Sequence, residues 1–445
     1  MTARWALRRW LFVGSVLALS ASGLGVMPGH TAAAGPVMAS AIGGTLKLTG
    51  RGFGHGHGMS QYGAKGAALD GLSYSQILAF YYPGTTPRHA HGRIRVLIGA
   101  DTTADVVVSP AAGLGVRDLK TRTASWLGTG QRINRWRITP TATGGSLVQY
   151  LTPTGWHRSK RFAGEAEFFA AEPLTLWVPS STGLVSRTYR GRLRSAAPTP
   201  GSAARDTVNV VGLDAYVTGV IPYEMPTSWP AEALKAQAVA ARSFALYTRA
   251  ANAGRHYQIC DTTSCQVYAG TAAEQASSNR AVRATKGLVL RYQRQPALTQ
   301  FSASSGGWTA AGGLAYLPAK KDPYDVGHDN PYHRWDTTLD VAAVNARYQR
   351  LGGLTAVRVP ERTGNGQWGG RVERIVLVGR QANVRLTGDE FRLAFGLRST
   401  WFAFESTATT GKGSAHGDRA SFATRQHDDS LRLHPLSRRL PDRAS

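Results

Sequence analysis

One carboxylate stands apart from the other acidic residues. In the run Tyr216-Val-Thr-Gly-Val-Ile-Pro-Tyr-Glu-Met-Pro, Glu224 lies between Pro222 and Pro226, just ahead of a long helical pattern. Held among Tyr223, Met225 and Trp229 it would lose part of its hydration, which moves a carboxyl pKa upward, toward the range of a general acid. The positive end of the following helix opposes that shift, and a loop glutamate bonding the helix's free N–H groups accounts for the same residues. A second group, His256, Cys260 and Cys265, has the spacing His-x3-Cys-x4-Cys. It offers three ligands to a structural zinc, or a disulfide closing a short loop, which an oxidising exterior would favour. His55 and His57 fall on one face of an extended segment, a third arrangement open to a metal.

These residues need elements to hold them. The strongest helical pattern starts at Pro230 and runs to Ala250, with Glu232 at its positive end and Asn252 and Gly254 beyond. Leu234, Ala238, Ala241 and Ala245 form a narrow stripe of small residues against which another backbone can pack closely. A short strand over 45–49 leads into the Gly-rich run 50–58, a helix over 75–82 stops at Pro83-Gly84, and 93–98 reads as a strand. From about 105 to 185, β-branched and aromatic runs alternate with Gly, Thr and Pro, the pattern of an all-β scaffold or a glycan-facing platform. A Ser, Ala and Pro-rich linker at 195–204 precedes a strand at 207–211, and further strands are expected at 288–292, 300–303 and 374–378. The fold class is therefore α+β, β-rich, around one central long helix.

The chain has 445 residues, 52 Lys plus Arg against 27 Asp plus Glu, a formal net charge of +25, and two cysteines. Its apolar content excludes wholesale disorder, its 51 glycines and 21 prolines argue against a helical bundle, and two cysteines cannot staple a chain of this size. The charge favours a polyanionic partner. Arg4, Arg8 and Arg9, the apolar stretch from Trp10 to Val26 and the small residues Ala32 to Ala34 have the three parts of a secretory signal. The expected organisation is a signal peptide at 1–34, with an uncleaved membrane anchor as the alternative, a spacer at 35–44, one unit over 45–405 with its β-rich segment at about 105–200, and a disordered basic tail at 406–445. Export to the cell envelope removes nucleic acid as the partner and leaves anionic wall polymers.

Three further runs accompany Glu224-Met-Pro: Gly50-Arg-Gly-Phe-Gly-His-Gly-His-Gly-Met-Ser-Gln-Tyr-Gly-Ala, Glu232-Ala-Leu-Lys-Ala-Gln-Ala-Val-Ala-Ala-Arg-Ser-Phe-Ala-Leu and Cys260-Asp-Thr-Thr-Ser-Cys-Gln-Val-Tyr. Together they resemble the stage II sporulation protein D family (SpoIID/LytB), whose members act on bacterial peptidoglycan. The likeness continues in Ala281-Val-Arg-Ala-Thr-Lys-Gly-Leu-Val-Leu and Ser302-Ala-Ser-Ser-Gly-Gly-Trp-Thr and covers about 45–405.

The resemblance implies a lytic transglycosylase that cuts the β-1,4 bond from N-acetylmuramic acid to N-acetylglucosamine and leaves a 1,6-anhydro end, with the long helix lining a glycan-binding cleft. Its catalytic glutamate corresponds to Glu224. One carboxylate suffices if the sugar's own C6 hydroxyl is the nucleophile, whereas an ordinary glycosidase needs two. His55, Ser60, Gln61 and Tyr62 match the family's Gly-rich motif and are expected to bind sugar. Gln237, Arg242 and Ser243 on the helix, and Ser304 and Ser305 as a further wall, complete the expected substrate set; Arg242 suits the lactyl carboxylate of muramic acid, or a salt bridge within the core. No cofactor is required, and zinc at His256, Cys260 and Cys265 is the structural option beside a Cys260–Cys265 disulfide. The same resemblance permits a noncatalytic wall-binding protein that enhances an amidase. In many relatives the Gly-rich motif stands at the C-terminal end of the catalytic domain; here it comes first, so the site requires the two ends of the unit to meet.

Overall fold

The computed structural model describes residues 39–40, 44–128, 130 and 132–405. The expected signal at 1–34 and tail at 406–445 lie outside the described residues. Within the expected spacer, Ala39–Ser40 pairs antiparallel with the strand Leu354–Arg362.

Strands outweigh helices, as the composition implies. The stretch read as all-β forms two sheets. One is an antiparallel sheet of six strands in the spatial order Gly155–Phe162, Ser146–Thr152, Arg135–Pro140, Val106–Val108, Leu174–Ser180, Gly183–Tyr189. Strict alternation drives it: Trp136 and Ile138 turn inward between outward Arg135 and Arg137, and Leu174, Leu176 and Val178 do the same on their strand. The second sheet has seven strands and extends through Ala166–Phe169, Arg192–Ala196 and Asp206–Gly212 to Arg93–Leu97, ending on Ile259–Cys260. Val108, Ile138, Leu176, Phe168 and Leu193 belong to one continuous core shared by both sheets and the helices.

The helices gather around the longest. We label them α1 (Gln61–Leu69), α2 (Tyr74–Tyr81), α3 (Leu213–Glu224), α4 (Ala231–Ala251) and α5 (Ala276–Ala284). The expected small-residue stripe of α4 is buried, but burial does not stop there: every residue from Ala236 to Ser243 is below the surface. Because alanines dominate the helix, α1, α2, α3, α5 and the strand Leu288–Tyr292 can all pack on it, so a helix read as one-sided is enclosed. Pro230 is its N-cap residue, Glu232 sits in the first turn and Arg249 in the last, each matching the helix dipole.

The segment around Glu224 excludes the loop alternative. It is a helix, α3, not a loop: Pro222 lies inside the last turn, yet Met225 N–H still bonds Ile221 C=O at 2.9 Å. Glu224 is thus the last residue of one helix rather than the leader of the next.

The Gly-rich run returns to the chain's later half. Thr45–Gly50 pairs antiparallel with Trp335–Asp340 and with Phe402–Phe404, over a second core built on Leu48, Trp335, Phe391 and Phe402. Met59–Ser60 then pairs in parallel with Phe301–Ser302, and Phe53 bridges Ser304. The close approach explains the glycines. Gly58 has φ +66, and a Cβ there would overlap the Gln300 carbonyl oxygen and press on the Tyr82 ring. Gly58→Ala is predicted to lower the unfolding free energy by roughly 2–4 kcal/mol, combining left-handed strain with overpacking, as read by urea denaturation. Unchanged stability would contradict this seam.

Candidate active site

A cavity of about 470 Å³ opens where the Gly-rich run, the end of α3, the 263–267 loop and residues 300–303 converge. Phe53, His55, Glu224, Phe244, Cys265 and Ser302 are among its walls. The two ends of the unit therefore do meet, and His55 and Glu224 line the same space.

Glu224 is the one carboxylate in that lining. Its pKa is raised by burial, opposed by hydrogen bonds from Val267 N–H, 3.1 Å from Oε1, and from the Gln61 side chain. The carbonyl end of α3 acts in the same direction as burial, since its partial negative charge disfavours a carboxylate. With Oε1 held by Val267, Oε2 is the oxygen left to carry and release a proton. Gln61 reaches the carboxyl from the first turn of α1, and the helix is set by Ser60, whose hydroxyl caps Gly63 N–H at 2.9 Å.

His55 is neutral near pH 7: burial, reinforced by His57 and Arg371, lowers its pKa to about 4. His57 N–H donates to its Nδ1 at 2.9 Å, so Nε2 carries the ring proton. The Nδ1 engaged in this way is not available to a metal shared with His57. Tyr62 belongs to a row of half-exposed rings: Phe53 to Tyr332 at 4.9 Å, Tyr332 to Tyr62 at 5.5 Å and Tyr62 to Trp229 at 4.7 Å between centroids. Lys65 lies over Tyr62 and Trp229, and Arg398 over Tyr332. Phe53 is the member that also walls the cavity.

The remaining expected substrate residues lie elsewhere. Arg242 is fully buried; its Nε donates to Asp214 at 2.8 Å and its other nitrogens to the carbonyls of Ala238, Leu288 and Val282. The salt-bridge alternative describes this geometry: four of the five guanidinium donors are bonded within the core, and the side chain has no exposed surface to offer a sugar carboxylate. Ser243 donates to Val239 C=O and accepts from Leu290 N–H, and Gln237 is buried in the helix core, away from the cavity lining. Ser60, Ser304 and Ser305 turn from the cavity toward two buried carboxyls, Asp325 and Asp322. Around the cavity itself, Ser302 and Ala303 take the place expected for Ser304 and Ser305.

Cys260 and Cys265 are joined in a disulfide. The loop it closes supplies Thr263, Ser264 and Cys265 to the cavity wall, and Val267 N–H follows it directly. His256 Nε2 lies 2.6 Å from Asp206, so the three expected zinc ligands do not fit a metal: two are oxidised together and the third is paired. Among the described residues no group of three His, Cys, Asp or Glu could hold a metal ion. Asp261, next to Cys260 in this loop, accepts from Gly99 N–H at 3.1 Å and holds the loop to the sheet.

The acid pair was not visible in the sequence, where Asp322-Pro-Tyr-Asp reads as a turn. Asp325 accepts from Ser60, Ser304, Ser305 N–H and Gly306 N–H, and His333 Nδ1 lies 3.2 Å away, with Arg51 at 2.7 Å from the other ring nitrogen. Asp322 accepts from Tyr81 and Ser305. Burial, then the charge of Asp325, pushes its pKa up to about 7.

Residues 202–292 match the family described as Stage II sporulation protein (SpoIID). Over 242 residues the chain is 31% identical to stage II sporulation protein D of Bacillus subtilis (strain 168), covering 48% of this chain and 67% of that protein. The corresponding protein of Bacillus amyloliquefaciens is 30% identical over 240 residues, 47% of this chain and 66% of that one. A stretch of 127 residues is 41% identical to the amidase enhancer of Bacillus subtilis (strain 168), covering 27% of this chain and 16% of that protein's length.

The raised Asp322 pKa has a consequence for stability. Between about pH 4 and 7 the folded chain keeps a proton that the unfolded chain, titrating near the ordinary 3.8, has released. Stability should therefore fall as pH rises through that window, by up to ~1.4 kcal/mol per pH unit, and level off above it. Asp322→Asn is expected to remove this slope in chemical denaturation across pH 4–8; an unchanged slope would contradict the assignment.

Proposed function

The chain belongs to the stage II sporulation protein D family, and from that premise we propose that it is a cell-envelope enzyme cleaving peptidoglycan glycan strands, with Glu224 as acid and then base. Protonated Glu224 donates from Oε2 to the glycosidic oxygen as the bond from N-acetylmuramic acid to N-acetylglucosamine breaks. The resulting carboxylate takes the proton of the sugar's C6 hydroxyl as that oxygen closes on C1, giving the 1,6-anhydro ring and restoring the acid.

The observation that carries this reading is a single carboxylate, with a raised pKa, in the lining of a cavity. Two-carboxylate hydrolysis would need a partner at one of two characteristic separations, and the cavity lining contains none. Gln61 and Val267 N–H keep the carboxyl oriented through both proton transfers. His55 Nε2–H is a neutral donor suited to a sugar hydroxyl. The row Phe53, Tyr332, Tyr62 and Trp229 supplies ring faces and hydroxyls to successive sugars of a strand leaving the cavity, and Lys65 and Arg398 supply cations for its carboxylates.

The likeness to the amidase enhancer supports a second reading, in which the same groove holds glycan without cutting it and a partner amidase does the chemistry. Purified protein on peptide-free glycan strands separates the two. Catalysis predicts 1,6-anhydromuramoyl ends by mass spectrometry and a loss of about 10²–10⁴ in rate for Glu224→Gln. Absence of anhydro products, with stimulation of an amidase that survives Glu224→Gln, would favour the second reading.

A further inference from the structure

The strand Gly155–Phe162 is an edge of the six-stranded sheet, and its pairing with Ser146–Thr152 slips once. Val148 faces Lys160 but Gln149 faces Arg158, so Ser159 is an extra, bulged residue. In an even strand Arg158 and Arg161 would point to opposite faces; the bulge brings both to the outer face, across from Gln149 and Leu147. Together with Lys160 they line a depression of about 420 Å³ whose walls contain no carboxylate. Arg158 and Arg161 are exposed, and among the described residues none of the three is in an ion pair.

The positive charge continues across the sheet. Arg137 Nε donates to Gln149 at 3.0 Å and its guanidinium lies over Trp156 at 4.1 Å, while Arg135 lies over Trp177 at 4.3 Å. Asp105 answers the charge of Arg137 at 3.2 Å, leaving the edge cations uncompensated. None of these side chains lines the Glu224 cavity.

We propose that this depression is a second, noncatalytic binding site, for a phosphodiester-bearing cell-wall polymer that tethers the enzyme to its substrate. Two guanidinium forks and an ammonium in one depression match an acceptor carrying more than one negative oxygen cluster along its length, which successive phosphodiesters provide. Single-stranded nucleic acid has the same backbone chemistry, but it needs open ring faces for its bases, and here Arg137 and Arg135 cover the indoles. That the polymer is one of the wall rests on the envelope location; the presence of the site does not rest on Glu224.

The test is a binding titration of the full chain with poly(glycerol phosphate) at low and moderate salt. The triple variant Arg158→Gln, Lys160→Gln, Arg161→Gln is compared with a control of equal charge change on exposed positions of other elements, Arg350→Gln, Arg380→Gln, Arg385→Gln. The proposal expects the first to bind about tenfold or more weakly, with a shallower salt dependence, and the control to stay within about twofold. Thermal melting of both variants checks that they fold, and cleavage of soluble glycan, read separately, should be the same in both. Equal weakening in the control would reduce the effect to net charge and overturn the site. Unchanged affinity in the first variant, accompanied by self-association, would mean the cations only guard a sheet edge, and overturn it as well. Tighter binding of an oligothymidylate than of the phosphate polymer would overturn the polymer class.

Discussion

Glu224 is useful as an acid only while water is kept from most of it, and the wall that does so comes from the other side of the sequence. The carboxyl ends α3, but Gln61, His55 and Phe53 arrive on a glycine run that pairs with residues 300–304. Gly54, for example, approaches so closely that a Cβ would stand 2.6 Å from that of Ser302. These glycines admit the protein's own chain at close range. Chain order is thus irrelevant to the site so long as this seam closes.

Behind the seam stands a buried polar cluster that the catalytic reading does not use but cannot do without. Asp325 collects donors from the Ser60 cap, from 304–306 and from His333, and so ties α1 to the segment that walls the cavity. Arg371, fully buried, donates to Ser305 C=O, and burial lowers its pKa to about 10. A buried charge of this kind is tolerated only where its partners are fixed, which makes the cluster a register mark as much as a source of stability. Arg242 of α4, itself fully buried, makes a comparable ion pair with Asp214, the second of the two arrangements its sequence context left open.

Much of this was legible from residue type and spacing. Alternating runs announced the β sheets, the alanine-rich pattern after Pro230 announced α4, and Glu224 with the Gly-rich run marked the cavity. What escaped had physical causes. A proline in the last turn removes one backbone bond and leaves the helix intact, so residue types around Pro222 and Pro226 do not by themselves reveal α3 or rule out a loop glutamate at 224. Arg242 and the serines carry hydrogen-bonding groups that serve a core as readily as a ligand, and only packing decides between them. Asp322, Asp325, Tyr332 and His333 sit in a turn-rich stretch without periodicity, where long-range contacts alone assign a role.

The most direct test of the account is the titration of the Glu224 carboxyl itself, followed by NMR in protein labelled at the glutamate side-chain carbon, with Glu224→Gln to assign the signal. The account predicts a midpoint above the ordinary glutamate value of 4.5, rising further in Gln61→Leu as one stabilising donor is lost. A midpoint at or below 4.5, unmoved by Gln61→Leu, would mean that the carboxyl is solvated, the seam does not enclose it, and the acid role fails.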